Sequence, residues 1–322
     1  TWPNTARYPI TGGAFWTSFA LDTERGVLYV PAGNPAPDFD VQARGGDNLY
    51  SNSLIALDAA TGRIVGYNQL VKRDEHDWDV NAPPALGVTR AGRPIVASAN
   101  KDGLLSVLDR SALAAAPQPA ADLGTRMPTI FQSPTTTREN ADVPLSRTAR
   151  VRFCPGIQGG NEWNGPAFHA GLNTLYTGAV DWCASVQLAD EPSVPSAGAI
   201  WFGSAVGEIQ APASEAKGWI TAFDADSGAV RWKFAAPAPV VAGVTPTAGG
   251  LLFTADLTGR LRAFDADNGA VLFELETGQS IGGGIVSYSA GGKQRIGVAS
   301  GMKSGIWPGA ATESRIQVFA LP

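Results

Sequence analysis

Three segments of the chain nearly coincide, and this internal repeat limits the fold more than any other feature of the sequence. They read SLIALDAATGRIVGY from Ser53, GWITAFDADSGAVRWKF from Gly218 and GRLRAFDADNGAVLFEL from Gly259. Each segment has an alternating strand, an Asp-x-x-x-Gly turn and a second strand, a pattern that predicts a β-hairpin. A weaker copy, LLSVLDRS, contains Asp109. The chain is therefore expected to be built from one repeated β unit.

The spacing of these hairpins predicts stacked blades. Asp224 and Asp265 are 41 residues apart, and Asp58 and Asp224 are 166 apart, close to four such intervals. A period of about 40 to 50 residues is typical of propeller blades, each with four strands. Counting the short strands that precede the hairpins gives about five blades, which begin near Trp16, Asp79, Trp163, Val244 and Ile285. We predict an all-β β-propeller that forms a single, partial domain over residues 1–322, with a short helical turn around Ser111 to Ala116.

Composition excludes several classes of function. The net charge of -5 is spread without basic clusters, so nothing indicates a nucleic-acid partner. No apolar run approaches the roughly 20 residues that a transmembrane helix needs, and the first residues, TWPNTARYPI, lack the pattern of a signal peptide. We therefore expect no transmembrane segment, and a chain that is mature or truncated.

Cys154 and Cys183 are the only cysteines. An even pair in a chain rich in Gly and Pro is compatible with one disulfide in an oxidising compartment, and the alternative is two buried free thiols. Both cysteines lie beside loop residues, which favours the disulfide. Neither belongs to a C-x-x-C-H sequence, so the chain holds no covalently attached c-type haem.

The stretch EHDWDVN, from Glu75 to Asn81, places one of only 2 histidines beside three acids and a tryptophan. A surface turn would explain this cluster, and an active site would explain it differently. If the segment is a strand, Asp77 and Asp79 point to opposite faces, so at most one of them faces a given site. His76 has no neighbouring His or Cys, and we expect it to pack and hydrogen-bond within a blade.

Ordered motifs over most of the chain resemble the quinoprotein alcohol dehydrogenases. They include GGAFWTSFALDTERGVLYVPAGNPAPDFD, RGGDNLYSNSLIALDAATG, HDWDVNAPPAL, ANKDGLLSVLDR, GGNEWNGPAFHAGLNTLYTGAVDWC and TPTAGGLLFTADLTGRLRAFDADNGAVLFELETG. The resemblance implies an eight-bladed propeller, of which this chain would be the carboxyl-terminal part. It also implies pyrroloquinoline quinone (PQQ) as cofactor, together with Ca²⁺ or another cation in its place.

The resemblance assigns roles to residues at four matching positions. Trp16 matches the tryptophan on which the flat quinone stacks, and Asn34 matches an amide ligand of Ca²⁺. Asp79 matches the carboxylate that serves as general base and metal ligand, and Lys101 matches the cation that hydrogen-bonds the quinone oxygens. Without the surrounding motifs, each of these residues would more simply be a packing, turn or solvated surface residue.

The chain also departs from the family pattern. Glu162-Trp163 stands where the family has Asn-Trp in contact with the cofactor, so both residues are predicted to bind PQQ, with Glu162 adding an unfavourable negative charge. The family's channel-side tryptophan is missing near Val241, which predicts a more open upper wall. An upstream carboxylate ligand, an arginine and a vicinal disulfide of the family have no counterpart in this chain, so a second chain or further sequence would supply the missing blades.

The function that the resemblance implies is oxidation of an alcohol to an aldehyde or ketone in the bacterial periplasm. Electrons would pass to a separate acceptor such as a c-type cytochrome. The alternative is a non-catalytic β-propeller scaffold of the outer-membrane assembly lipoprotein type, because the repeats encode blades and not chemistry.

Overall fold

The architecture of the chain is nearly all β. The computed structural model describes residues 1–3, 9–113, 124–191, 195–203, 209–309 and 313–320. The strands are β1 (Thr11–Gly12), β2 (Ala20–Asp22), β3 (Val27–Pro31), β4 (Pro35–Ala36), β5 (Ser53–Asp58), β6 (Ile64–Gln69), β7 (Ala85–Val88), β8 (Pro94–Ala99), β9 (Leu104–Asp109), β10 (Thr125–Arg126), β11 (Thr129–Pro134), β12 (Val151–Phe153), β13 (Ala167–His169), β14 (Thr174–Asp181), β15 (Ala184–Val186), β16 (Lys217–Asp224), β17 (Val230–Ala236), β18 (Thr245–Pro246), β19 (Leu251–Ala255), β20 (Arg260–Asp265), β21 (Val271–Glu276), β22 (Ile285–Ala290), β23 (Lys293–Ser300) and β24 (Arg315–Phe319).

Within the described ranges, helical structure is limited to single turns. An α-helical turn, α1, spans Val41–Arg44, and short 3₁₀ helices span Arg110–Ala112 and Ala213–Glu215. The helical turn predicted around Ser111 to Ala116 is confirmed at its start, where the Asp109 side chain accepts a hydrogen bond from the Ser111 backbone N–H. The end of that predicted stretch, from residue 114, lies outside the described residues.

The strands form five antiparallel blades, which confirms the β-propeller predicted from the repeats. From the inner strand outward, blade 1 is β2-β3-β5-β6 with β10 added in parallel, blade 2 is β7-β8-β9-β11, blade 3 is β13-β14-β16-β17, blade 4 is β18-β19-β20-β21 and blade 5 is β22-β23-β24. Two further pairs, β1-β4 and β12-β15, lie in the loops between blade strands.

The repeated Asp-x-x-x-Gly segments are the turns between the two outer strands. In blade 1, Asp58 Oδ1 accepts hydrogen bonds from the N–H groups of Ala60 and Thr61, and Gly62 has a φ of 73°. Asp224 caps its turn in the same way in blade 3, as does Asp265 in blade 4. A carboxylate that caps the turn and a glycine that permits positive φ explain why this sequence recurs.

Apolar clusters fill the spaces between successive blades. One cluster joins Tyr29 and Leu54 of blade 1 to Val96 and Leu108 of blade 2. Equivalent clusters lie between blades 2 and 3, between blades 3 and 4, and between blades 4 and 5. The blades therefore stack face to face, each burying apolar side chains against the next one.

The first and last blades keep apolar side chains exposed. In and before the inner strand of blade 1 these are Phe15, Trp16, Phe19 and Leu21, and in blade 5 they are Val286, Tyr288, Ile316 and Val318. Each of these side chains is more than two-fifths exposed, in contrast to the clusters between neighbouring blades. Among the described residues, no helix is long and apolar enough to cross a membrane.

Strand direction brings the predicted site residues to one end of the propeller. In blade 2, Ala85 at the start of β7 pairs with Ala97 near the end of β8, so the segment before β7 meets the turn after β8. The other blades follow the same order. β2, β7 and β13 begin later than predicted, so Trp16, Asp79 and Trp163 lie in the segments that lead into inner strands.

Candidate active site

Asp79 is at the centre of a group of polar contacts between blades 1 and 2. Its Oδ1 accepts a hydrogen bond of 2.9 Å from the backbone N–H of Asn34, in the loop after β3. Its Oδ2 accepts one of 3.0 Å from Lys101 Nζ, in the turn after β8. The side chain is only 9% exposed. Residues far apart in sequence thus fix both oxygens of one buried carboxylate.

Asp77 faces the same lysine, contrary to the expectation that it points away from the site. Lys101 Nζ lies 3.0 Å from Asp77 Oδ2 as well as 3.0 Å from Asp79 Oδ2. The strand alternation on which that expectation depended does not apply, because the segment is not a strand and Asp77 has a φ of 61°. The left-handed residue turns the chain, so both carboxylates reach one ammonium.

Asp74 holds this turn in place from inside the protein. Its carboxylate accepts backbone hydrogen bonds of 3.0 Å from both His76 and Trp78, and the side chain is buried. Arg44 donates to the backbone carbonyl of Asp74 from the opposite side. The EHDWDVN segment is therefore a buried, internally capped loop.

Lys101 is a buried cation among several carboxyl groups. Burial alone would lower the pKa of Lys101, but the neighbouring acids, chiefly Asp77 and Asp79, outweigh it and raise that pKa well above its ordinary value. Gly159 fits against the lysine stem, since a Cβ there would lie 2.5 Å from Lys101 Cγ. The ammonium is thus charged at neutral pH and held in a fixed place.

Glu162 does not carry the unfavourable charge expected of it. Its side chain is buried, and its Oε2 accepts a long hydrogen bond of 3.3 Å from Asn81 Nδ2. Burial is the main reason that the pKa of Glu162 rises to about 8, so this carboxyl is largely protonated at neutral pH. The hydrogen bonds from Gly160 N–H to Lys101 O and from Asn161 N–H to Asn100 O bring this segment to the lysine turn.

Asp38 is a neighbour that sequence reasoning missed. It accepts a hydrogen bond of 3.0 Å from Asn34 Nδ2. Burial, reinforced by the charges of Asp74 and Asp79, raises the pKa of Asp38 to about 7. Oxygen atoms of Asn34, Asp38 and Asp79 are the kind of donors that hard cations prefer. Even so, the described part of the chain contains no group of three or more His, Cys, Asp or Glu side chains arranged to hold a metal.

Gly33 lets the backbone pass close to both Asp79 and Trp16. A Cβ at Gly33 would lie 2.5 Å from Asp79 Oδ1 and 3.4 Å from Trp16 Nε1. The Trp16 side chain is 45% exposed, so a large part of its indole is open to other molecules. The structure thus places Trp16, Asn34, Asp79 and Lys101 in one neighbourhood.

Trp163 belongs to a different set of contacts. Its Nε1 donates a hydrogen bond of 2.7 Å to Gly282 O, and its ring packs edge-on against Trp307 at 5.8 Å. Val241 is buried in the same cluster, together with Met302. Trp307, from a distant loop, also packs against this cluster, and the open wall expected near Val241 stays a prediction.

A cavity of about 530 Å³ lies on the other side of Trp78. Trp78, His76, Arg138 and Leu145 are among its lining residues.

His76 stacks on Trp78 at 4.2 Å and contacts Phe153, which confirms that it packs in the core. The pKa of His76 falls to about 3, because burial and then Arg138 disfavour its charge, and its Nε2 has no hydrogen-bond partner among the described residues. The cavity is thus adjacent to Asp79 and separate from it.

Cys154 and Cys183 form a disulfide, which confirms that prediction and excludes the free thiols. The bond joins the long loop before β13 to the residue just before β15. Close by, Trp78 Nε1 lies within hydrogen-bonding distance of the carbonyl oxygens of Pro155 and Gly156, at 3.2 and 3.3 Å. The disulfide therefore fixes a loop that packs on the Trp78 side of the site.

Two family models match parts of the chain. The β-propeller domain of glucose, ethanol and alcohol dehydrogenases matches residues 1–112, and the outer membrane protein assembly factor BamB model matches residues 216–291. The first match includes Trp16, Asn34, Asp79 and Lys101, and the second covers the hairpin repeats of blades 3 and 4.

Curated relatives and solved structures cover far more of the chain. The quinoprotein alcohol dehydrogenase PedH of Pseudomonas putida is 28% identical over 319 residues, which are 96% of this chain and 52% of that protein. The quinohemoprotein alcohol dehydrogenase of Comamonas testosteroni is 28% identical over 90% of this chain and 42% of its own length.

The fold agrees with these sequence relatives. A europium-containing methanol dehydrogenase superposes with a TM-score of 0.77 at 24% identity, over 94% of this chain and 53% of its own. The crystal structure of the Comamonas testosteroni enzyme gives 0.76 at 25% identity, over 90% and 45%. The chain is thus similar in sequence and fold to the quinoprotein alcohol dehydrogenases, as its motifs predict, and it spans about half the length of the curated relatives that it matches.

Proposed function

We propose that the protein containing this chain is a PQQ- and calcium-dependent dehydrogenase that oxidises an alcohol to an aldehyde or ketone. The observation that carries this proposal is the convergence of Asn34 and Lys101 on the two oxygens of Asp79, beside the exposed indole of Trp16. A quinone-dependent oxidation needs a base that accepts the proton, a cation that stabilises negative charge and an aromatic face on which the quinone stacks.

The residues fit the cofactor in shape and charge. The exposed Trp16 face suits stacking by a flat ring, and Gly33, where any Cβ would clash with Asp79, keeps the backbone close to both side chains. Lys101 has three N–H donors, of which two point to Asp77 and Asp79, so one remains for a quinone oxygen. Glu162, neutral at pH 7, could donate to the cofactor without adding charge, and Trp163 would lie further along the wall.

Calcium would be held only in part by this chain. Asn34 and Asp79 are the proposed ligands, whereas Ca²⁺ takes roughly six to eight oxygens. The buried carboxyl groups of Asp38 and Asp77, whose pKa values are raised chiefly by burial, indicate an environment that a cation would stabilise. The remaining ligands would come from outside the described residues. Another cation could take the place of calcium.

In the proposed mechanism, residues of this chain accept the proton that the substrate loses. The bound quinone would supply the two-electron acceptor. Asp79 takes the proton of the substrate hydroxyl, while hydride leaves the carbon that bears this hydroxyl and the carbonyl product forms. Asn34 N–H and Lys101 hold the carboxylate so that it faces the alcohol. With the quinone bound, the Lys101 ammonium would also stabilise negative charge on its oxygens.

Further partners belong to the same proposal. Electrons would pass to a c-type cytochrome or another acceptor in the periplasm. The exposed apolar faces of blades 1 and 5 would be covered by further blades, either from the rest of a longer protein or from a second chain. The eight-bladed closure of the family remains a proposal for this protein.

The test is reconstitution with PQQ and CaCl₂, followed by dye reduction with primary and secondary alcohols. Asp79→Asn should lower turnover at least 100-fold, because a general base typically contributes about 10²–10⁴-fold. Asp181→Asn serves as a matched control, since the Asp181 carboxylate accepts its hydrogen bonds from Thr137 and Trp219 and makes no ion pair with Lys101. Undiminished reduction by the Asp79→Asn protein would contradict the proposed role.

A non-catalytic scaffold is the second candidate, and one observation favours it. The match to the assembly-factor model over residues 216–291 shows that the repeats alone fit both classes. PQQ binding separates the two, because a ligand that binds only the folded state raises the unfolding midpoint by mass action. A midpoint unaffected by PQQ with Ca²⁺, together with no binding in equilibrium dialysis, would favour the scaffold.

A further inference from the structure

We propose that Asp77 is a positioning residue that directs the Lys101 ammonium toward the cofactor. The inference concerns a residue to which the family resemblance gave only a supporting place. Its geometric part depends on contacts within this chain, and its consequence for PQQ rests on the proposed function.

The contacts make Asp77 an equal partner in the ion pair. Both carboxylates approach Lys101 Nζ at 3.0 Å. The side chains of Lys101 and Asp79 are 7% and 9% exposed, whereas that of Asp77 is 18% exposed. The three groups therefore form a carboxylate–ammonium–carboxylate row, whose more open end is Asp77.

Two carboxylates define a direction that one cannot. An ammonium has three N–H bonds in a fixed tetrahedral arrangement, and a single partner leaves Nζ, at the end of a flexible stem, able to swing around that partner. With two of these bonds directed at Asp77 and Asp79, the third has a single orientation. Loss of Asp77 would let Nζ settle on Asp79 alone and leave the third N–H undirected.

The backbone conformation at Asp77 supports a specific role for its contact with Lys101. A φ of 61° is unfavourable for most residues, and Asp, Asn and Gly tolerate it best. Asp74 stabilises the turn by accepting from the N–H groups on both sides, at His76 and Trp78. The loop thus keeps an uncommon backbone conformation that brings the Asp77 carboxylate to the lysine.

Asp77→Asn and Asp77→Gly form the matched pair for the test. Both replacement residues tolerate a left-handed φ, so neither variant should strain the backbone at this position. The Asn side chain keeps an oxygen that accepts from Lys101, and Gly removes it. If Asp77 positions the lysine, Asn should bind PQQ within about 3-fold of the original protein, and Gly should bind it about 10- to 100-fold more weakly.

Labelling of Lys101 gives a readout that needs no cofactor. The protein, without PQQ, is treated with an amine-reactive reagent, and the modification rate of Lys101 is followed by peptide mass spectrometry. Release of one charged hydrogen bond should raise this rate about tenfold or more in Asp77→Gly and far less in Asp77→Asn. Urea unfolding of both variants confirms that they remain folded during labelling.

The outcomes separate this inference from the proposed function. If the original protein fails to bind PQQ, the proposed function fails, and the labelling rates still decide whether Asp77 holds Lys101. Equal labelling of all three proteins would overturn the positioning role. If Asn weakens PQQ binding as much as Gly does, the charge of Asp77 matters and its geometry does not, which also overturns it.

Discussion

Replacement of Lys101 by methionine is the strongest test of the contacts around Asp79. The methionine side chain would fill a similar volume without charge, and it would leave Asp77 and Asp79 as buried carboxylates that have lost the cation 3.0 Å away. Removal of one partner from a buried ion pair typically costs about 3–5 kcal/mol. That loss is a large part of the roughly 5–15 kcal/mol that typically stabilises a domain.

Lys101→Met should destabilise the protein far less when Asp77 and Asp79 are both replaced by neutral residues. In an Asp77→Asn, Asp79→Asn background, Lys101→Met leaves no uncompensated carboxylate and also removes an ammonium that has lost both acidic partners, so we expect it to cost no more than about 1 kcal/mol. The difference between the two backgrounds, at least about 2 kcal/mol, is the coupling energy of the row. Urea unfolding at pH 8, followed by tryptophan fluorescence, measures each step in the protein without cofactor.

Lys303→Met is the matched control, because Lys303 is exposed. A surface substitution of this kind should change stability by no more than about 0.5 kcal/mol. If Lys101→Met cost the same in both backgrounds, the ammonium would not be paired with these acids, and the reasoning about the site would fail at its first step.

Three further predictions concern the surroundings of the site. Gly33→Ala should weaken PQQ binding about tenfold or more because its Cβ would lie 2.5 Å from Asp79 Oδ1, whereas Gly249→Ala, which has nothing within 4 Å, should leave the dialysis result unchanged. Replacing both Cys154 and Cys183 by Ser should cost about 3–4 kcal/mol in urea unfolding, as expected for a 29-residue separation; a loss below about 1 kcal/mol would refute the estimate. The Glu162 carboxyl holds its proton up to about pH 8 when folded and only to about 4.5 when unfolded, so stability should fall as pH rises through that window. Glu162→Gln should flatten the fall, and an unchanged slope would contradict the raised pKa.

The repeats made the fold predictable from sequence. The hairpins at Asp58, Asp224 and Asp265 encode their own turn, because the capping carboxylate and the left-handed glycine are both local. Blade number and strand order then follow from a regular period. The exact start of each inner strand did not follow, since the loops that lead into β2, β7 and β13 are held by contacts with other blades.

Residues of the candidate site could be predicted only where they belong to a motif that is contiguous in the sequence. Asp79 and Lys101 were found by their neighbours in sequence, and the structure brings them to 3.0 Å. The direction of the Asp77 side chain was predicted wrongly, because its left-handed backbone conformation interrupts the alternation expected of a strand. Such a single φ angle is not evident from the sequence. Trp307 was missed because it reaches Trp163 from the far end of the chain, and no local pattern reports such a contact.

The capped Asp-x-x-x-Gly turns have a practical consequence for handling this protein. They lie at the opposite end of the propeller from Asp79 and Lys101, and their tips, such as Thr61, Ser227 and Asn268, are exposed. A cysteine or affinity tag introduced there would attach the protein to a bead or an electrode with the end that carries Asp79 and Lys101 facing solution. The same three positions, spread over blades 1, 3 and 4, would also report by fluorescent labelling whether the blades unfold together.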